Sequence, residues 1–373
     1  MVRAQHLYVH VPFCARRCVY CDFSIAVRRP VPEAEYVDAV RRELAIRHGE
    51  SALDLRTMYF GGGTPSKLSP DGVARLIDAI AARARFAPDI ETTLEANPED
   101  VTAAVAREWQ RAGVNRVSLG VQSFDAGVLA WMHRTHDAGQ AARAIESLRE
   151  AGIEELSLDL IFAVPAFLGR DWERDIEQAL ALRMPHVSVY GLTVESHTPL
   201  GRWVARSTVA EAPEESFERE FLAGSAALVQ AGYEHYEVSN YSLPGHASRH
   251  NSSYWRRTAY AGLGPSAHEF DGRRRRWNVA PYADWVRRLR EDQDPVEGQE
   301  VLQSQHEMAE SVYLGLRTSA GLELSAEEVA HVEPWVRAGW ANVSESRRAK
   351  LTPAGWLRLD TLAADLTHVR SRY

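Results

Sequence analysis

The stretch "HVPFCARRCVYCDF", residues 10–23, contains Cys14, Cys18 and Cys21, which are the only cysteines of the 373-residue chain. They are spaced C-x3-C-x2-C and directly follow a short β-rich run, "LYVHV". A structural zinc site normally needs four ligands in two pairs, and a redox C-x-x-C pair leaves Cys14 without a role. Thiolates are preferred ligands of iron–sulfur clusters, so we favour a cubane cluster with one open iron. Zinc and plain buried thiols are the alternatives.

The composition is that of a globular chain, with 45% hydrophobic and 25% charged residues. No stretch approaches the roughly 18 uncharged apolar residues that a membrane span needs, and no export signal is recognisable. The formal net charge of −8 argues against general nucleic-acid binding. We therefore expect a cytoplasmic protein with no membrane span and no nucleic-acid partner. Four arginines at residues 273–276 are interpreted as a solvated hairpin or loop, with an anion contact as the alternative.

Strand-like and helix-like patterns alternate through the first half of the chain. The predicted strands are residues 7–11, 57–60, 91–96, 116–121, 155–162 and 186–194. Helical patterns lie between them, at residues 33–48, 69–85, 102–112, 125–150 (with a break) and 170–182. This alternation predicts an α/β fold with parallel strands and right-handed crossovers. Polar or glycine residues follow the carboxyl ends of the strands, the edge that faces the active site in a barrel-like α/β fold.

The pattern changes after about residue 210, and we predict three parts. Residues 1–210 form the barrel, residues 211–299 extend it, and residues 300–373 form a small, mostly helical C-terminal domain. In this last part a short hairpin precedes a helix capped by Thr352, which resembles a winged helix. It lacks a clear basic recognition helix, so DNA binding is not expected. A packing module, a cover for the barrel mouth and a surface for a partner protein are all compatible with the sequence.

The cysteine loop after a first strand resembles the radical S-adenosylmethionine (SAM) superfamily. Further stretches are similar, in order and spacing, to the oxygen-independent coproporphyrinogen III oxidase-like branch of that superfamily. They are "LYVHVPFCARRCVYCDF", "GGGTPS", "LEANPE", "GVNRVSLGVQSF", "MHRTH" and "LDLIFAVP". The resemblance implies a partial (β/α)6 TIM-like barrel and a [4Fe-4S] cluster on Cys14, Cys18 and Cys21. It also implies SAM on the open iron and an electron donor for the cluster.

The resemblance assigns SAM contacts to nine positions: Tyr8, Tyr20, Gly62, Gly63, Thr64, Glu95, Gln122, Arg134 and Asp159. The chemistry suits them, because carboxylates accept from ribose hydroxyls or an amine and an arginine pairs with a carboxylate. The chain departs from the family after Asp159, where "AVPAFLG" replaces a segment close to "GLPGQT". Ala163 and Ala166 stand where glycines are expected, and alanine restricts the backbone dihedral φ.

Two subgroups of the branch differ at positions that the sequence shows. True oxidases carry a further cysteine two places after the third and a longer segment before the motif. This chain has Phe23 at that place and thirteen residues before Cys14, which is similar to the heme chaperone subgroup. The stretch "RHNSSYW", residues 249–255, resembles that subgroup's H-N-x-x-Y-W motif, which is linked with heme binding.

The motif implies that His250 binds heme, with Tyr254 and Trp255 beside the macrocycle. A neutral imidazole is a good axial ligand for heme iron, and aromatic rings pack on a flat macrocycle. From the residues alone, a packed and hydrogen-bonded histidine is the alternative. Three more histidines are competing ligands: His235, His246 and His268.

These features predict a radical SAM-type heme chaperone that binds heme and delivers it to an apo-hemoprotein client. Its predicted cofactors are the [4Fe-4S] cluster, SAM and heme, and no catalytic residue is assigned. Whether the chain is an enzyme is left open. The alternative function is an oxygen-independent coproporphyrinogen III oxidase of porphyrin biosynthesis, in which a deoxyadenosyl radical abstracts hydrogen from each propionate before decarboxylation.

Overall fold

The computed structural model describes residues 4–49 and 53–372. Strands and helices alternate in the first half of the chain, as the patterns predict. The elements are β1 (His6–Val11), β2 (Phe13–Cys14), β3 (Ala26–Val27), α1 (Glu33–His48), β4 (Leu53–Gly62), α2 (Pro70–Ala81), β5 (Ala84–Ala96), α3 (Ala103–Arg111), β6 (Arg116–Gln122), α4 (Ala126–Trp131), α5 (Ala138–Glu150), β7 (Glu155–Phe162), α6 (Trp172–Ala181) and β8 (His186–Gly191).

The second half adds short strands and helices. They are α7 (Pro199–Ala205), α8 (Glu214–Gln230), β9 (Glu234–Glu237), β10 (Asn240–Ser242), α9 (Arg249–Trp255), β11 (Tyr260–Leu263), β12 (His268–Phe270), β13 (Arg274–Asn278), α10 (Tyr282–Arg290), β14 (Val296–Val301), α11 (Ser304–Arg317), β15 (Leu322–Glu323), α12 (Ala326–Arg337), β16 (Ala341–Val343), β17 (Arg348–Leu351), α13 (Pro353–Trp356) and α14 (Leu359–Arg370).

Side-chain caps set the helix starts. Ser69 accepts a hydrogen bond from the Gly72 N–H at 3.0 Å, and Pro70 is the first residue of α2. The break within residues 125–150 comes from a capping box at the start of α5, where Asp137 and Gln140 satisfy each other's backbone N–H. The prediction that α2 extends to residue 85 is wrong, because the start of β5 pairs with Leu53–Leu55 of β4 instead.

Twelve strands form one sheet, in the order β14-β13-β12-β11-β1-β4-β5-β6-β7-β8-β10-β9. The seven strands from β11 to β8 in this order run parallel, and they include all six strands that the sequence predicts. Their carboxyl ends therefore meet along one edge of the sheet. The α/β class is confirmed, whereas closure of the sheet into a barrel stays a prediction.

The C-terminal part is mostly helical and carries a second, three-stranded sheet in the order β15-β17-β16. The predicted hairpin and capped helix are present, and Thr352 accepts a hydrogen bond from the Gly355 N–H at 3.2 Å. Trp356 fixes this part internally by donating its indole N–H to the Leu316 carbonyl at 2.9 Å. The division of the chain at residues 210 and 300 stays a prediction. Among the described residues, no helix is long and apolar enough to cross a membrane.

The arginine run lies largely in an antiparallel hairpin, which agrees with the hairpin interpretation of the sequence. Residues 274–276 lie in β13, between β12 and β14. Arg275 pairs with Glu310 and Arg276 pairs with Asp294, each at 2.5 Å. Arg274 pairs with Asp271 at 3.5 Å, so three of the four arginines have carboxylate partners, and an anion contact stays a prediction.

Candidate functional site

The cysteine loop leaves the carboxyl end of β1 and is fixed at both ends. β2 pairs with β3, which aligns Cys14 with Val27. The Thr64 N–H donates to the Phe13 carbonyl at 2.8 Å, and the Ala26 N–H donates to the Pro12 carbonyl at 2.7 Å. The loop is thereby held against the end of β4 before any ligand binds.

The three cysteines are free thiols, each partly buried, and all of them face one cavity. Burial raises the pKa of Cys14 to about 11 and also raises the pKa of Cys21, with the neighbouring thiols adding to both shifts. A metal centre must therefore displace protons to bind here. Among the described residues, no three metal-binding side chains converge on a single point. A cubane cluster does not require that, because each of its thiolates binds a different iron.

The cavity has a volume of about 510 Å³ and lies at the carboxyl ends of the parallel strands. Its lining residues all come from positions 14–195 of the chain. The three cysteines and eight of the nine predicted SAM residues line it: Tyr20, Gly62, Gly63, Thr64, Glu95, Gln122, Arg134 and Asp159. The lining thus combines three thiols with carboxylate, hydroxyl and amide groups.

Two carboxylates with raised pKa values face the cavity. Burial raises the pKa of Glu95 to about 7, and the charge of Asp159 adds to that shift. Burial raises the pKa of Asp159 to about 6. The Ser118 hydroxyl lies 3.1 Å from Asp159 Oδ1, and Glu95 accepts from the Tyr59 hydroxyl at 2.8 Å. Near neutral pH Glu95 is therefore partly ionised and Asp159 is mostly ionised, and both carboxylates can accept hydrogen bonds from a polar ligand.

Backbone geometry brings further polar groups to the cavity. Gly62 has a φ of 107°, a conformation that side chains rarely allow, and its N–H donates to Glu95 at 3.2 Å. Gln122 also has a positive φ, of 70°, at the end of β6. Arg134 Nη1 lies 3.8 Å from Cys18 Sγ, and its Nε has no hydrogen-bond partner among the described residues. An unsatisfied buried guanidinium nitrogen beside a thiol fits a site that receives an anionic ligand.

Tyr8, the ninth predicted SAM residue, is not part of the cavity lining and pairs with Tyr59 in the register of β1 and β4. Its ring stacks on Tyr59 at 6.2 Å between centroids, and its hydroxyl lies 3.2 Å from His10 Nδ1. The residue prediction missed Tyr59, whose hydroxyl donates to the cavity-lining Glu95 at 2.8 Å. Its only sequence signal is its position two residues before the triple glycine, on the same face of the strand as Gly61.

The H-N-x-x-Y-W stretch lies away from the cavity. His250 is 0% exposed, and burial lowers its pKa to about 3, so its ring is neutral. Its Nδ1 lies 2.7 Å from the Thr57 hydroxyl and its Nε2 lies 2.7 Å from the Tyr254 hydroxyl. Both ring nitrogens are thus engaged, and binding of His250 to heme iron requires one of these hydrogen bonds to break. Trp255 packs under Arg317, with the guanidinium 4.3 Å from the ring centroid.

The competing histidines differ in exposure. His235 stacks on Tyr241 at 3.9 Å, and both its ring nitrogens have hydrogen-bond partners. His246 pairs with Glu155 at 2.8 Å. His268 is exposed on β12 and stacks on Trp277. Heme ligation by any of these residues, or by His250, stays a prediction.

Comparison with known proteins places this geometry in a family. Residues 8–179 match the radical SAM superfamily model. The chain is 37% identical to the heme chaperone HemW of Synechocystis, over 84% of this chain and 78% of the relative. The HemW proteins of Mycobacterium tuberculosis H37Rv (37% identical, 86% and 83% covered) and Escherichia coli K12 (39% identical, 70% and 69% covered) are also similar.

The chain belongs to the HemW family. Through the superfamily, membership implies a [4Fe-4S] cluster and SAM, and the free thiols and the polar cavity fit both groups. Phe23, which distinguishes the chain from C-x3-C-x2-C-x-C sequences, lines the same cavity and is 58% exposed.

A solved structure confirms the fold of this HemW family member. The chain is similar to coproporphyrinogen III oxidase (HemN) from Escherichia coli, a radical SAM enzyme, with a TM-score of 0.83. The match covers 98% of this chain and 90% of that chain at 21% identity. At that identity the likeness shows the shared architecture alone.

Proposed function

We propose that this protein is a heme chaperone, which binds heme and delivers it to an apo-hemoprotein. The observation that carries the proposal is the similarity to proteins named heme chaperone HemW, at 33–39% identity over 70–86% of the chain. Phe23 supports the same subgroup, because it puts an apolar ring where an additional thiol would stand. A location in the cytoplasm and an electron donor for the cluster belong to the same proposal.

In this proposal the cavity holds the cluster and SAM. Cys14, Cys18 and Cys21 bind three irons as thiolates, and the nearby Arg134 guanidinium offsets part of their negative charge. When bound, a cluster with an open iron supplies a binding point for SAM and a source of one electron. Glu95 and Asp159 accept hydrogen bonds from the hydroxyls or the amine of SAM, and Gly62 and Gly63 bring the backbone close to it.

The proposal is tested with anaerobically reconstituted protein. Heme is titrated while the Soret band is followed, and the loaded protein is then mixed with apo-myoglobin as acceptor. We expect saturable binding of one heme per chain and transfer at a rate above that of free heme. The Cys18→Ser variant serves as a control for the contribution of the cluster.

The contrary result is equally specific. If the reconstituted protein converts coproporphyrinogen III to protoporphyrinogen in the presence of SAM and a reductant, the chain is an oxidase. If no saturable heme binding is observed, the chaperone function is wrong.

A further inference from the structure

One face of the sheet is built in layers by alternate residues of β1, β4 and β5. The register pairs His6 with Thr57 and Tyr8 with Tyr59 across β1 and β4, and it pairs Thr57 with Glu91 across β4 and β5. Residues two apart share a face, so Glu95 follows Glu91 on the same side. The face therefore has three layers. The lower layer is polar (His6, Thr57 and Glu91), the middle layer is aromatic (Tyr8 and Tyr59), and Glu95 lines the cavity above them.

The helix of the H-N-x-x-Y-W motif, α9, closes the lower layer. The Glu91 carboxylate accepts from the backbone N–H groups of Arg249 at 3.0 Å and His250 at 2.9 Å. The Thr57 hydroxyl lies 2.9 Å from His6 Nδ1 and 2.7 Å from His250 Nδ1, so it donates to one ring and accepts from the other. Together with Tyr254, these contacts leave His250 a single orientation.

That orientation presents the ring of His250 to Tyr59. The two rings stack with centroids 5.0 Å apart and an interplanar angle of 29°. The Tyr59 hydroxyl then donates to Glu95 Oε1 at 2.8 Å, and the Gly62 N–H donates to Oε2 of the same carboxylate at 3.2 Å. Gly61 is part of the arrangement, because a Cβ at that position would lie 2.8 Å from the Tyr59 ring and 3.1 Å from Glu95.

We propose that His250 is a positioning residue for the cavity: it holds Tyr59, and through Tyr59 it holds Glu95 in place for SAM. The inference rests on the proposal that the cavity binds SAM. It assigns the histidine of the H-N-x-x-Y-W motif to the support of the cavity instead of to the heme iron. The full burial of the ring and its two hydroxyl partners are what such a support needs.

The test measures the Kd for SAM by equilibrium dialysis with reconstituted protein. We expect His250→Ala to weaken SAM binding about tenfold, since the stacked ring and both hydrogen bonds are lost. Tyr59→Phe keeps the ring and removes only the donor to Glu95, so a loss of about fivefold is expected without a packing defect. His250→Gln can hydrogen-bond to both hydroxyls, and it should recover most of the lost affinity.

A matched control separates positioning from general damage to the fold. His235 is also a largely buried histidine with two hydrogen-bonded ring nitrogens, and it lies beside Trp356 of the C-terminal part. His235→Ala should lower thermal stability as His250→Ala does, while the Kd for SAM stays within about twofold of the wild type.

Heme titration of the same variants gives the second readout. The inference expects His250→Gln to keep the wild-type Soret spectrum and heme affinity. It is wrong if wild-type protein binds SAM and the His250 and Tyr59 variants bind it equally well. It is also wrong if His250→Gln loses heme while SAM binding is unchanged. Wild-type protein that binds no SAM would overturn the assignment of the cavity itself, a different failure from either of these.

Discussion

Ala163 follows β7 and has a φ of 57°, in the left-handed region where a side chain costs roughly 1–2 kcal/mol. It is 3% exposed, and its N–H donates to Glu220 at 2.8 Å. The family resemblance predicts a glycine at this position, and the structure gives Ala163 a positive φ that glycine adopts without steric cost. The chain therefore carries local strain beside the cavity.

Substitution by glycine should affect the free energy of unfolding differently at Ala163 and at Ala166. We expect Ala163→Gly to leave the free energy of unfolding unchanged or slightly higher, because relief of strain offsets the lost methyl group and the extra freedom of the unfolded chain. Ala166, which is exposed and has an ordinary φ, lacks that compensation, and Ala166→Gly should lower the free energy of unfolding by about 0.5–1 kcal/mol. Urea denaturation under reducing conditions measures both. Equal losses in the two variants would contradict strain at Ala163.

At the same scale, the sequence predicted most residues that line the cavity, but it did not predict the residues behind them that hold the lining in place. Eight of the nine positions carried over from the family motif line one cavity. Most of them lie at the ends of neighbouring parallel strands, a relation that chain order predicts. Tyr59 and Glu91 were not recognised, because their roles depend on the register between β4 and β5. His250 shows the same limit: its contact with Glu91 joins residues 159 apart in the chain.

At the scale of elements, α9 is anchored at its start by a residue of a neighbouring strand. It has seven residues, too few to be stable alone, and the carboxylate of Glu91 satisfies two of its first N–H groups. Glu91 is 8% exposed, so water does not readily replace it. The motif helix thus depends on a strand residue for its start.

Glu91→Gln should lower the free energy of unfolding by about 1–2 kcal/mol. The substitution replaces one carboxylate oxygen, which accepts from a backbone N–H, by an amide NH2 group that cannot accept, and it removes the negative charge. Urea denaturation measures the loss, and amide hydrogen exchange over residues 249–255 should show faster exchange in the variant. The control is Asp89→Asn, which removes a pair with Arg249 from a side chain that is 76% exposed and should cost less than about 0.5 kcal/mol. Similar losses in both variants would count against the anchorage.

Element prediction succeeded where a pattern is local. The cap at Thr352 is predicted from the residue type, and α13 begins there. The break within residues 125–150 is predicted too, and the cap at Asp137 explains it. The strands β9 to β13 were not predicted from the sequence, because each has only three to five residues and forms through pairing with its neighbours in the sheet. The end of α2 was misplaced for the same reason, since pairing with β4 decides where β5 begins.

For the whole molecule, a buried ion pair joins the C-terminal part to the main sheet. Glu237 of β9 is 0% exposed, and its Oε2 lies 3.1 Å from Arg317 Nη2 at the end of α11. Backbone hydrogen bonds run alongside, from the Val238 N–H to the Arg317 carbonyl and from the Ser319 N–H to the Tyr236 carbonyl. Burial raises the pKa of Glu237, and the charge of Arg317 opposes that shift.

Arg317→Gln should lower the free energy of unfolding by about 3 kcal/mol at pH 7.5, because it leaves a buried carboxylate without its counterion. Without Arg317 the pKa of Glu237 rises further, so the charged form is what costs stability. The loss should therefore shrink as the pH falls through that raised pKa and the carboxyl group takes up a proton. Thermal denaturation at pH 5.5 and 7.5 measures the difference. The double variant Glu237→Gln/Arg317→Gln should recover most of the loss and show little pH dependence.

The twelve-stranded sheet has β14 and β9 as its outer strands, and unpaired backbone at such edges can pair with other chains. At one end, β14 carries Glu297 and Glu300 on a largely exposed strand, and charge of this kind discourages edge-to-edge association. At the other end, a bridge between Glu237 and Thr318 seats the C-terminal part against β9. Charge thus protects the β14 edge, and the C-terminal part covers the β9 edge. A chain truncated before α11 would therefore expose the backbone of β9 and should aggregate more readily.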